Sequence, residues 1–243
     1  MGLVSSMRLS LIVITAIFSI AFAVSANAHP HVWVAVKTTV MYDKEGAVAA
    51  LRHRWIFDEL YTAMAIEGLD TNKDGKVDRE ELAELAKVNI EGLKDFNYFT
   101  AAKLREQPLA FGSATDYWME LSGDDQLALP DAGLTPQEPV TSDAAGPLPE
   151  KRKTLALEFT LPFRQPAAVH GDPLSFSVAD SSFFIWFDFA KKNPISLNGG
   201  PQGCTASLSN SLPGYSSMQS LGDAAASPGS NWGAAKTATL TCR

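Results

Sequence analysis

Twelve consecutive residues, 70–81, match the spacing of an EF-hand calcium loop at every position. Side chains with oxygen atoms stand at the ligand positions, and Gly75 stands sixth, where the backbone turns sharply and a Cβ would obstruct it. Calcium prefers about six to eight oxygen ligands. The predicted ligands are Asp70, Asn72, Asp74, the backbone carbonyl of Lys76, Asp78 and Glu81. The alternative interpretation is a solvated polar turn.

The residues on either side of this loop predict two helices. Asp58 is a suitable N-cap for a helix that precedes the loop. After the loop, apolar residues recur three or four positions apart, as they do on one face of a helix. These residues are Leu82, Leu85, Ala86, Ile90 and Leu93. Residues 58–93 are therefore predicted to form a helix–loop–helix EF-hand. A calcium sensor usually pairs two such loops, so we expect Ca²⁺ here to stabilise the fold.

The first 28 residues are typical of a secretory signal peptide. Arg8 precedes an apolar run over residues 9–24, and the small residues at 25–28 predict cleavage after Ala28. The apolar run is shorter than the roughly 20 residues that a membrane-spanning helix needs. We therefore expect a periplasmic or secreted protein whose mature chain has no transmembrane segment.

The charge balance of the chain is acidic. Its formal net charge is −7, from 20 basic and 27 acidic residues, and removal of the signal peptide with Arg8 makes it −8. A negative protein repels the phosphate backbone, so nucleic acid is excluded as an expected partner. The same balance argues against anionic membranes and favours the binding of cations.

The mature chain, residues 29–243, alternates apolar and polar residues as β-strands do. The first two strands flank a turn at residues 43–46, in a register that places Tyr42 opposite Ala47 and Val36 opposite His53. The acidic, Pro-rich residues 130–153 predict a long exposed loop. Further strands are predicted at residues 98–104, 116–121, 155–163, 174–178 and 183–189 and around both cysteines. The predicted fold class is α+β, a single, mainly antiparallel and sandwich-like β domain with an inserted EF-hand.

Cys204 and Cys242 are the two cysteines of the chain. In an oxidising compartment, two cysteines most simply form one disulfide. The segment between them is rich in Ser, Gly and Ala and has little apolar periodicity, so a covalent link would stabilise a region with little core of its own. A cysteine-based metal or redox pair is the alternative, but the spacing C-x-x-C is absent from the sequence.

His29 becomes the first residue of the chain after cleavage, and His31 follows two residues later. Two imidazoles and a free α-amine suit Zn²⁺ or Ni²⁺ better than Ca²⁺. The predicted register places Asp58 opposite His31, so the candidate transition-metal site comprises His29, His31 and Asp58. His53 lies on the apolar face of its strand, where both a core role and a ligand role stay open.

Several short segments resemble, in the same order, those of a known bacterial family. They are the start His29-Pro30-His31-Val32-Trp33-Val34, residues 51–59, residues 67–70, residues 95–100, Phe159-Thr160-Leu161-Pro162, the aromatic run at 183–189 and Gly203-Cys204-Thr205-Ala206. The chain is similar to periplasmic proteins of unknown function that carry the label "ABC-type uncharacterised transport system, periplasmic component". The resemblance implies periplasmic metal handling, because members often occur beside predicted nickel/cobalt exporter or metal-permease genes. Ala35 departs from the acidic residue that relatives often carry there.

These observations leave several functions open. The first is a calcium-binding accessory component of a nickel, cobalt or zinc transport system, with a membrane transporter as its partner. The second is a calcium-stabilised structural module with no second ligand. A two-lobed solute receptor is disfavoured because such receptors are built from βαβ units, and this chain predicts hairpins. An enzyme is disfavoured because the sequence contains no nucleophile elbow, H-E-x-x-H motif, P-loop or dinucleotide-binding glycine motif.

Overall fold

The computed structural model of the chain describes residues 32–123, 153–182, 184–209 and 236–242. These ranges form two β-sheets and two short helices. The helices are α1 Glu59–Ala65 and α2 Ala83–Lys94. The strands are β1 Val32–Tyr42, β2 Val48–Phe57, β3 Thr100–Leu104, β4 Gln107–Pro108, β5 Thr115–Ser122, β6 Thr154–Ala167, β7 Leu174–Val178, β8 Ile185–Phe189, β9 Ile195–Asn198, β10 Cys204–Ser209 and β11 Thr237–Cys242.

The two sheets share one apolar core. Sheet A has the order β5-β6-β2-β1-β8, with β9 also paired to β1, and sheet B has the order β10-β11-β7-β3-β4. Neighbouring strands are antiparallel, except that β8 and β9 run parallel to β1. Buried side chains alternate along the strands and come from both sheets, among them Val36, Leu51, Trp55, Leu157 and Phe159 of sheet A and Leu174, Phe176, Ala238 and Leu240 of sheet B. The mainly β, sandwich-like part of the prediction agrees with this architecture.

The register of the first hairpin differs from the prediction by two residues. Val36 lies opposite Trp55, and Thr38 lies opposite His53. The difference arises at and beside the turn. The Asp43 carboxylate accepts a hydrogen bond from the N–H of Ala47 at 2.8 Å, and the pairing of β1 with β2 shifts between Met41 and Tyr42. Because side chains alternate with a period of two, a two-residue change leaves the side chains of residues 51–57 on their predicted faces. Next to the turn, Tyr42 lies opposite Val48, a difference of one residue, and Val48 is buried in the core.

The predicted EF-hand insertion, and with it the α+β class, is wrong. Helix α1 has only seven residues, and helix α2 begins at Ala83, beyond the last predicted ligand Glu81. Residues 66–82 separate the two helices, which is more than the twelve-residue loop of an EF-hand. The described part of the chain is therefore a mainly β fold with two short helices.

Local backbone chemistry explains why the helices are short and far apart. Gly68 has a φ of 77°, a left-handed conformation that does not continue a helix. At the other end, Asp78 Oδ1 accepts hydrogen bonds from the N–H groups of Glu80 and Glu81, at 2.8 and 3.1 Å. These are N-cap bonds, but the N–H of Ala83 then donates to the carbonyl of Glu80, three residues back, at 3.2 Å, so residues 79–82 form turns before α2 begins.

The predicted disulfide is confirmed. Cys204 and Cys242 are bonded to each other, and they lie directly opposite at the ends of β10 and β11. The link therefore joins the edge strand of sheet B to its neighbour, where the exposed side chains of β10 bury little apolar surface.

Other predictions fall where the structure gives no description. The signal peptide, residues 1–28, and the Pro-rich loop, apart from Lys153, lie outside the described residues. Within the ranges that are described, no helix has the length and apolar character to cross a membrane.

Candidate calcium-binding loop

Residues 70–81, here called the acidic loop, are closed by hydrogen bonds from backbone N–H groups to side-chain oxygens. Asp70 accepts from Asp74 at 3.1 Å through one carboxylate oxygen and from Gly75 at 3.0 Å through the other. Asn72 Oδ1 accepts from the same Asp74 N–H at 2.8 Å. The side-chain oxygens of the first two predicted ligands thus turn towards the backbone of the loop itself.

Glu81, the last predicted ligand, reaches back to the start of the loop. Its Oε1 accepts hydrogen bonds from the N–H groups of Thr71 and Asn72 at 2.7 and 3.2 Å, and its Oε2 accepts one from Asp78 at 3.2 Å. Desolvation raises the pKa of the Glu81 carboxyl, but these backbone donors outweigh it and lower the pKa overall. Glu81 is therefore held as a carboxylate that joins the two ends of the loop.

The middle of the loop makes a tight turn that needs glycine. Gly75 has a φ of 81°, a conformation that costs an L-residue strain, as the sequence predicted for the sixth loop position. The carboxylate of Asp74 accepts from the N–H of Lys76 at 2.8 Å, which fixes the chain just after this turn. The sharp turn predicted at Gly75 is therefore confirmed, although the EF-hand in which it was placed is wrong.

The chemical type of the donor atoms in the acidic loop suits a hard cation. All of its candidate ligands are oxygens, which suit Ca²⁺ and not the softer ions that prefer nitrogen or sulfur. Among the described residues, however, no three His, Cys, Asp or Glu side chains come together as a group that could hold a metal ion. The loop carboxylates accept hydrogen bonds from backbone N–H groups, and a carboxylate has about four lone-pair sites, so some of them stay available for an ion.

One side chain of the acidic loop reaches sheet A, and sequence reasoning missed it. The guanidinium of Arg79 forms an ion pair with the carboxylate of Glu120 on β5. The Cζ of Arg79 also lies 4.8 Å from the ring centroid of Trp118, and the Cζ of Arg52 lies 4.7 Å from that centroid. Trp118 is thus contacted by one guanidinium from the loop and by one from β2.

The contacts of Arg79 continue as a network on the outer face of sheet A. Arg54 Nη1 bonds to Glu120 Oε1 and to Glu158 Oε1, both at 2.8 Å. Arg52 Nε lies 3.5 Å from Glu158 Oε2. Burial raises the pKa of the Glu120 carboxyl, but the hydrogen bonds and charges of Arg54 and Arg79 outweigh that effect and lower it. No local sequence pattern links residues 79, 118 and 158, so this network follows from tertiary structure alone.

The candidate transition-metal site can be described only at Asp58. His29 and His31 lie outside the described residues. Asp58 caps helix α1, with Oδ1 accepting from the N–H of Tyr61, and its Oδ2 accepts from the N–H of Trp33, each at 2.8 Å. The observed register places Asp58 opposite Trp33, not opposite His31 as predicted. Both carboxylate oxygens therefore already have structural partners.

His53 is a core residue in the structure. It is fully buried between β1 and β6, with its ring 5.2 Å from that of Phe159 and its Nδ1 3.0 Å from the hydroxyl oxygen of Thr38. Desolvation by burial lowers its pKa to about 3. A neutral histidine in apolar surroundings is not placed to join a ligand set at the surface.

Almost the whole chain matches one known protein family. Residues 14–242 match the family described as "Protein of unknown function (DUF1007)". The chain belongs to the DUF1007 family. Searches of curated proteins and of solved structures found no match to the chain.

Membership of DUF1007 agrees with the resemblance to proteins of unknown function found in the sequence. The match includes both the acidic loop and the two cysteines. The family description names no activity, ligand or partner, so the role of this DUF1007 protein must be argued from its own residues.

Proposed function

We propose that this DUF1007 protein is a periplasmic calcium-binding protein that serves as an accessory component of a transition-metal transport system. The acidic loop would bind Ca²⁺ through Asp70, Asn72, Asp74, the carbonyl of Lys76, Asp78 and Glu81. The observation that supports this most is the position of Glu81, whose two carboxylate oxygens connect residues 71 and 72 to residue 78. The proposed role is binding and not catalysis.

Electrostatics favours a cation in this loop. Five carboxylates, those of Asp70, Asp74, Asp78, Glu80 and Glu81, fall within twelve residues, and three basic side chains only partly balance them. A divalent ion would relieve the repulsion among the carboxylates and bind the folded loop in preference to the unfolded one. By mass action, such binding stabilises the fold by about 2.7 kcal/mol when free Ca²⁺ is 100 times the dissociation constant.

Calcium titration of the mature chain tests this proposal. We expect CaCl₂ to produce heat of binding in calorimetry and to raise the melting temperature. Glu81→Gln should raise the calcium dissociation constant by about 100-fold, because it removes the carboxylate expected to bind with two oxygens. Glu80→Gln is the matched control, since it removes a neighbouring exposed carboxylate that is not a predicted ligand. An equal loss in both variants, or no heat with the parent, would refute a site at these residues.

The transition-metal part of the proposal rests on His29, His31 and Asp58. We expect Zn²⁺ or Ni²⁺ to bind the mature chain through the two imidazoles, and a His29→Ala/His31→Ala variant to lose most of that heat of binding. His170→Ala removes an exposed histidine elsewhere and should bind as the parent does. Unchanged Zn²⁺ and Ni²⁺ binding in the double variant would eliminate this site.

A second candidate function is a calcium-stabilised structural module with no second ligand. The hydrogen bonds of Asp58 favour it, because both carboxylate oxygens are occupied by backbone N–H groups. In that case Ca²⁺ would bind while Zn²⁺ and Ni²⁺ would not. Calorimetry with each ion separates the two functions.

A further inference from the structure

The acidic loop is connected to sheet A through a residue that is not itself a predicted ligand. Arg79 lies between two predicted ligands, Asp78 and Glu81, and its side chain leaves the loop to contact Glu120 and Trp118 on β5. Because Arg79 shares a turn with Asp78 and Glu81, its contacts restrain the backbone from which both ligands project.

We propose that Arg79 and Trp118 are positioning residues for calcium, so that the affinity of the acidic loop depends on its attachment to the outer face of sheet A. This inference rests on the calcium binding proposed above. When the loop is empty, repulsion among its carboxylates favours opening of the turn that carries Arg79. The contacts to Trp118 and Glu120 oppose that opening and therefore favour the conformation that binds the ion.

The attachment combines stacking with charge. A guanidinium over a tryptophan ring is a favourable arrangement, and the indole of Trp118 is contacted by both Arg79 and Arg52. Glu120 is itself held by Arg54, which is also bonded to Glu158. The carboxylate of Glu120 is thus already held in place on the sheet by Arg54. Less conformational entropy is therefore lost when Arg79 binds to it. The side chain of Arg79 is 58% exposed, so its substitution leaves the core intact.

Linkage makes this coupling reciprocal. If the contacts of Arg79 favour calcium, then calcium must favour those contacts by the same factor. Calcium should accordingly change the environment of Trp118. The fluorescence change that Ca²⁺ causes in the parent should be smaller in Trp118→Phe, which removes this reporter and leaves the other tryptophans in place.

Two variants separate positioning from simple electrostatics. Arg79→Gln removes a positive charge near the loop, so Coulomb's law alone predicts tighter calcium binding. Positioning predicts the opposite, a dissociation constant raised about five- to tenfold. Trp118→Leu changes no charge and should raise it by a similar factor. Arg105→Gln is the matched control, because it removes an exposed arginine that is ion-paired with Asp172 outside this network, and it should change the constant by less than about twofold.

The experiment is calcium calorimetry on the full mature chain, with each variant's melting temperature measured in EGTA to confirm that it folds. Weaker binding in Arg79→Gln and Trp118→Leu, with Arg105→Gln unchanged, is the expected result. Tighter or equal binding in Arg79→Gln would overturn the positioning role while leaving calcium binding intact. Absence of any calcium heat in the parent would refute the proposed function itself, and this inference with it.

Discussion

Lowering the pH from 6.5 to 4.5 should cost the protein about 2 kcal/mol of folding free energy through one side chain, that of His53. Burial lowers the pKa of His53 to about 3 in the folded state, whereas the ordinary value is 6.5. Below pH 6.5 the unfolded chain therefore binds a proton that the folded chain does not. Well below pH 6.5 each pH unit removes about 1.4 kcal/mol, and the first unit removes less because the unfolded histidine is only partly protonated there. The stabilisation is fully present only above the unfolded pKa.

The structure explains why His53 resists protonation. Its Nδ1 lies 3.0 Å from the Thr38 hydroxyl oxygen, and its Nε2 is buried with no hydrogen-bond partner among the described residues. The neighbouring rings of Trp55 and Phe159 offer no compensating negative charge. A charged imidazole here would lose its hydration without gaining a counter-ion.

Urea denaturation at pH 6.5 and at pH 4.5 measures this effect. Carboxylates contribute to acid sensitivity in every variant, so the informative quantity is the difference between the parent and His53→Gln. The variant should lose about 2 kcal/mol less than the parent over this range. His170→Gln, which removes an exposed histidine, should follow the parent. Equal losses in the parent and in His53→Gln would show that the buried histidine does not cause acid sensitivity.

Removal of the disulfide should lower the free energy of unfolding by about 4 kcal/mol. Cys204 and Cys242 are 38 positions apart, and closing a loop of that length restricts the unfolded chain by about this amount in the chain-entropy model. Burial of apolar surface does little to hold β10 in the fold without the disulfide, because most side chains of this strand are exposed. The bond therefore keeps the edge of sheet B in place.

A Cys204→Ala/Cys242→Ala variant tests this expectation by urea denaturation at neutral pH. The parent in reductant should show the same loss, whereas the double variant should be insensitive to reductant. This comparison distinguishes loss of the covalent link from any effect of the two alanines. A loss below about 1 kcal/mol in both experiments would mean that the β10–β11 pairing is stable without the link.

Strand positions were largely predictable from sequence, and the reason is the two-residue period of side chains. The prediction at residues 174–178 coincides with β7, and that at 155–163 lies within β6. Residues 98–99 are an exception, because they precede β3 in a turn, Asn97–Phe99, in which all three residues have positive φ. Aromatic residues in sequence favour a strand, but the buried Tyr98 accepts a hydrogen bond from the N–H of Ala114 at 2.9 Å, and this tertiary contact favours the turn.

In the acidic loop, some features could be predicted from the sequence and others could not. Its ligand spacing and the need for Gly75 are local properties, so they could be read directly from twelve residues. The lengths of the flanking helices could not, because residues 79–82 form turns in which the N–H of Ala83 bonds to the carbonyl of Glu80, and no local pattern marks this departure from a regular helix. The EF-hand prediction was wrong for that reason, although the turn that it placed at Gly75 is present.

Local chemistry in the chain was enough to indicate the β architecture, the paired cysteines and an oxygen-rich loop, because alternation, composition and turn residues act over short distances. Tertiary structure decided the parallel pairing of β8 and β9 with β1, the burial of His53 and the contact of Arg79 with Trp118. Each of these depends on which distant segments pack together. The packing of distant segments is determined by the total apolar surface that they bury in the shared core, and this total cannot be read from any short stretch of sequence.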